Sequence, residues 1–76
     1  MDVMITTVAN QPAQLLRNLI HSVGGVKQGR VSYEDGPRGR VRRVRVEVPD
    51  EATFARLTET IERSFEVKVI SIERFV

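Results

Sequence analysis

The chain has 76 residues, the size of one domain spanning residues 1–76, with no room for a second core. It contains no cysteine, which excludes a disulfide framework and cysteine-based metal sites. No basic leader opens it and no apolar run of about 18 residues occurs, so a cytoplasmic protein without a membrane span is expected.

Asp2 to Val8 is short and rich in β-branched residues, with apolar side chains at both parities. It reads as a strand covered on both faces, or covered on one and used as an interface on the other. Asn10 offers an N-cap or turn oxygen, and Pro12 suits the first turn of a helix, where a missing N–H costs nothing. Leu15, Leu16, Leu19, Ile20 and Val23 then recur at helical spacing, until Gly24-Gly25 stops the helix.

Val26 to Glu34 reads as a second strand, in which Gly29 marks a bulge or a close backbone approach. Asp35 to Gly39 is the strongest turn signal in the chain. In the third strand, Arg40 to Val48, Val44, Val46 and Val48 alternate with Arg43, Arg45 and Glu47, the pattern of a half-buried strand with a charged outer face. Pro49 ends that strand, and Asp50 caps a second helix with Glu51 in its first turn. Phe54, Leu57, Ile61 and Phe65 form its apolar face. Val67 to Ile72 closes the sheet as a fourth strand, and Arg74-Phe75-Val76 trail behind it.

The order β-α-β-β-α-β is the ferredoxin-like α+β plan, a four-stranded antiparallel sheet with two helices on one face. The other face is solvated or covered by a partner.

Net charge is +2, but residues 27–45 hold seven bases (Lys27, Arg30, Arg38, Arg40, Arg42, Arg43, Arg45) against Glu34 and Asp35. Ten of the twelve bases in the chain are arginine, whose planar fork suits carboxylate or phosphate. The run Arg38–Arg45 could grip nucleic acid. A ferredoxin-like RNA reader would carry aromatic residues on its inner strands, and the first and third strands have none, so a charged outer face is the stronger reading. His21, the only histidine, has no nucleophile or orienting carboxylate near it in sequence and reads as a surface helix residue. Gly24-Gly25-Val26-Lys27 ends a helix, whereas a phosphate-cradling loop begins one. No catalytic or metal-binding constellation stands out, and neither enzyme activity nor a cofactor is expected.

Val8-Ala9-Asn10-Gln11-Pro12 at the first turn, Leu15 to Ile20 in the first helix, Gly24-Gly25-Val26 and the closing Phe65 to Ile70 together resemble the ACT domain family of small regulatory ligand-binding modules. The likeness covers nearly the whole chain. It implies a homodimer that binds an amino acid at an interface beside the first turn and controls a metabolic enzyme. Carried over by position, Asn10 and Gln11 would offer polar contacts beside Pro12. The backbone N–H groups of Ala13, Gln14 and Leu15 would face a carboxylate, and Lys27 or Gln28 would approach from the partner or from below. The family's turns usually read Pro-Gly, whereas Pro12 is followed here by Ala13. A protein–protein assembly module using the open sheet face or the arginine-rich hairpin is the alternative, and a nucleic-acid binder ranks behind it.

Overall fold

The computed structural model describes residues 1–75, and Val76 lies outside the described residues. The elements run β1 (Asp2–Val8), α1 (Ala13–Val23), β2 (Lys27–Gly36), β3 (Gly39–Glu47), α2 (Glu51–Arg63) and β4 (Val69–Phe75). The sheet has the order β2-β3-β1-β4 with every neighbouring pair antiparallel, which is the ferredoxin-like arrangement. No helix among the described residues is long and apolar enough to cross a membrane.

The register assigns each side chain to a face. Val3 stands opposite Val46 and Ile5 opposite Val44, and all four are buried against Leu16 and Ile20 of α1 and Leu57 and Ile61 of α2. Both helices therefore cover one face of the sheet. Because strand side chains alternate, Met4, Thr6 and Val8 fall on the opposite face with Arg43 and Arg45. There Arg43 reaches Glu34 at 3.3 Å and Arg45 reaches Asp2 at 3.4 Å. The mixed parity of β1 thus has a simple cause: it is a central strand whose outer side chains are screened by long arginines.

Four boundaries depart from the sequence reading. Pro12 itself occupies the N-cap position of α1 and no side chain caps that end, so Asn10 belongs to the turn. The hairpin turn is only Pro37-Arg38, because the ladder continues through Asp35–Arg40 to Gly36–Gly39. Phe65 is 99% exposed: α2 stops at Arg63, Ser64 is extended, and the helical repeat no longer governs where Phe65 points. The fourth strand starts two residues late, since the Ser64 hydroxyl accepts from the N–H groups of Glu66 and Val67 and folds that segment into a local turn. It then runs on through Arg74 and Phe75, which pair with Val3 and Asp2.

Two glycines behave as read. Gly24 closes α1 with φ of 77°, a conformation other residues adopt only with strain. The ladder shifts register between Gln28 and Val31, and a side chain at Gly29 would stand 3.3 Å from the Arg45 carbonyl oxygen.

Asp50 caps α2 by accepting from the Thr53 N–H at 2.8 Å. Hydrogen bonding from Thr53 holds its carboxyl below the usual carboxylate range. A carboxylate whose folded pKa is depressed contributes stability that is complete above its unfolded pKa and is lost as pH falls through the folded one. Thermal unfolding followed from about pH 5 to about pH 2 should therefore show a smaller acid-induced loss for Asp50→Asn than for the parent chain, since asparagine caps without titrating. Equal slopes would show that this cap does not couple to acid stability.

Candidate functional site

The β1–α1 turn, Ala9 to Pro12, is held from two sides. From one side, the Gln11 side-chain amide donates to the Lys68 carbonyl at 3.3 Å, and its oxygen accepts the Lys68 N–H at 3.1 Å. This clasp takes both backbone groups of Lys68 and explains why β4 begins only at Val69. From the other side comes Arg42 of β3, which donates to the Gln11 carbonyl at 3.0 Å and the Ala9 carbonyl at 3.1 Å. Its Nε lies 3.4 Å from the Tyr33 hydroxyl, and its guanidinium stacks 5.5 Å from the Tyr33 ring centroid.

Arg42 is 6% exposed. Strand parity puts it on the helix-covered face, opposite Thr7 of β1 and Tyr33 of β2. Thr7 is fully buried and its hydroxyl has no partner. The arginine run is thereby divided: Arg40 and Arg42 share the helix side with Tyr33, while Arg43 and Arg45 lie on the open face and meet acids. It does not form one continuous basic patch.

Beside Arg42 a cavity of about 210 Å³ opens between the first half of α1 and strands β2 and β3. Leu16, Val31 and Val44 supply its apolar wall, and Ala13 marks the helix N-terminus. Arg42, Tyr33, Arg17 and Gln28 supply the polar groups. An apolar recess with a few convergent polar groups is the usual form of a small-molecule site. A larger cavity of about 480 Å³ lies between α2 and β4, but among the described residues Glu62 is the only charged one lining it. A third, of about 280 Å³, sits at the Gly29 bulge and includes Lys27, Gln28 and Arg45.

Of the positions read from the sequence, Ala13 and Gln28 line the cavity beside Arg42. Asn10 and Pro12 are exposed in the turn, and the Gln11 side chain is taken up by Lys68. Gln14 is exposed and bonds Asn18 at 2.8 Å, and Leu15 packs against the core from its edge. Of the three N–H groups expected to face a carboxylate, that of Leu15 is used by the Pro12 carbonyl at 3.2 Å. Lys27 pairs with Glu47 at the end of the sheet away from the turn, because β2 begins where β1 also begins. Within one protomer it is remote from the turn. Tyr33 and Arg17 line the cavity with no binding role expected from the sequence, and Arg42 was expected only as part of the basic run Arg38–Arg45. A signal for Arg42 was present: it shares the parity of Val44, Val46 and Val48.

No group of histidine, cysteine, aspartate or glutamate able to hold a metal occurs among the described residues. In comparisons with known proteins, no family model matches the chain and no curated protein matches it.

Proposed function

We propose that this protein is an ACT-like regulatory module: a cytoplasmic, non-catalytic homodimer that binds a small molecule of amino-acid size and passes its occupancy to a metabolic enzyme. The observation that carries the reading is the cavity between α1 and the β2–β3 hairpin, with buried Arg42 joining its wall to the first turn. The ferredoxin-like order and the turn, helix and glycine pattern of the first 26 residues support the family likeness. A ligand that contacts Arg42, Tyr33 or Arg17 changes the forces on the Ala9–Gln11 turn, and Gln11 in turn holds the segment before β4. Occupancy is thereby coupled to the outer strand, and a ligand shifts the module between two arrangements by its differential affinity for them.

Self-association has its own support. Ile70, Phe65 and Phe75 are exposed on the β4 side, where the edge strand has unpaired backbone groups. These exposed apolar residues also favour the second reading, a ligand-free assembly module.

The test is calorimetric titration with the twenty amino acids, paired with sedimentation of the free and titrated protein. Heat with at least one amino acid and a dimer mass are expected. No heat with any of them on a folded dimer would favour the assembly reading, and a monomer at all concentrations would remove the interface.

A further inference from the structure

Arg42 places a guanidinium charge in a buried position. Hydrogen bonding and charge compensation are separate requirements. Its three bonds go to two backbone carbonyls and a phenol, all neutral. Among the described residues no carboxylate forms an ion pair with it. Among the described residues, each of its three nitrogens makes one hydrogen bond, so a guanidinium with five N–H groups meets three acceptors. The Tyr33 hydroxyl accepts from Arg42 and keeps its own proton to donate. Burying a charge without an opposite charge is expensive, and the cavity beside it is where a compensating anion has room.

The surroundings narrow the anion. Arg17 lines the same cavity from the rim and is exposed, and Arg40 stacks on the Tyr33 ring at 5.6 Å to the centroid. One end of the recess is therefore strongly positive. Asp35, which faces Arg40 across the hairpin, forms no ion pair with any of these arginines. By register Gln28 lies toward the other end, opposite Val46, with Val31 and Val44 between it and the Tyr33–Arg42 pair. No acidic residue lines the cavity, so a second negative charge would be desolvated at the Gln28 end without a partner, and an ammonium group would find no carboxylate.

Resting on the ligand-binding reading above, we infer that the cavity takes a small monocarboxylate with an aliphatic body, and that the carboxylate, not an α-ammonium group, is what it recognises. The carboxylate sits between Arg42, the Tyr33 hydroxyl and Arg17, and the aliphatic chain lies on Leu16, Val31 and Val44.

The probes are isovalerate, isovaleramide, leucine and inorganic phosphate, titrated calorimetrically into the full chain at matched ionic strength. Isovalerate should bind at least as tightly as leucine and about tenfold or more tighter than isovaleramide, the factor expected for one charge-assisted contact. Phosphate should bind more weakly than isovalerate. Tyr33→Phe keeps the stacked ring and removes one donor, and Arg17→Gln removes a rim charge. Both residues are exposed, so each variant should fold normally and weaken isovalerate severalfold; Arg17→Gln should leave isovaleramide unchanged, whereas Tyr33→Phe should weaken the amide too, because its carbonyl accepts from the same hydroxyl. Equal affinity for acid and amide, phosphate as tight as isovalerate, or insensitivity to both variants would overturn the inference. Leucine binding where isovalerate does not would overturn it and leave the regulatory reading standing. No binding by these probes or by any amino acid would remove both.

Discussion

Replacing Arg42 with alanine should cost about 3 kcal/mol of folding stability, whereas Arg43→Ala or Arg45→Ala, at neighbouring positions, should each change it by no more than about 0.5 kcal/mol. The difference is one of face. Arg43 and Arg45 make single ion pairs on the solvated side of the sheet, where long side chains and high dielectric leave little net gain. Arg42 is buried and holds the carbonyls of Ala9 and Gln11, which lose those partners when it is truncated. These carbonyls are partly buried, so each one left unpaired costs toward the low end of about 1–3 kcal/mol, and the volume vacated by the buried side chain adds to that. For a chain of 76 residues the total stability is about 4–11 kcal/mol, so the loss is a large fraction of it. The melting temperature should fall by about 15 °C, measured by thermal unfolding alongside denaturant titration. Arg42→Ala as stable as Arg43→Ala would show that the turn holds itself.

The second large effect is expected in α2. Leu57 is fully buried at the centre of the cluster formed by Val3, Ile5, Val44, Val46, Leu16, Ile20 and Ile61. Leu57→Ala should cost about 3–4 kcal/mol, the transfer free energy of the removed carbons plus the cavity they leave. Phe65, eight positions further on, is 99% exposed and should tolerate serine within about 0.5 kcal/mol of the parent chain. Denaturant unfolding of both variants tests this. A large loss at Phe65 would mean that the residue is buried in solution, either in the core or against a second copy. Its dependence on protein concentration separates those two cases.

The Leu57–Phe65 contrast shows where sequence periodicity stops informing. The 3.6-residue repeat identified Leu57 and Ile61 as core because the helix persists through them. It extended the same face to Phe65, where the backbone has already left the helix, and nothing in the local composition marks Ser64 as the end. The strand order and the pairing of β1 with β3 were legible because turn signals and alternation agree at each step. The late start of β4 was legible only in part: Ser64 turns its approach locally, but the clasp on Lys68 comes from Gln11, 57 positions away.

The candidate site divides in the same way. Its first turn could be found from Asn10-Gln11-Pro12, because strand-to-helix turns have a local signature. The cavity could not, because Arg17, Gln28, Tyr33 and Arg42 come from α1, β2 and β3 and meet only when the hairpin folds over the helix. Arg42 was readable in principle from its parity with three buried valines. It was hidden by five other arginines within the stretch from Arg30 to Arg45, which made the segment look uniformly solvent-facing.

Intermolecular nuclear Overhauser effects between bound isovalerate and methyl-labelled protein locate a ligand in or outside the recess between α1 and the β2–β3 hairpin. Cross-peaks are expected from the ligand methyls to Leu16, Val31 and Val44, and none to Met4 or Val8 on the open face. Cross-peaks to the open face, or to Ile70 and Ile72 of β4, with none to Leu16, Val31 and Val44, would place the ligand elsewhere and rule the recess out.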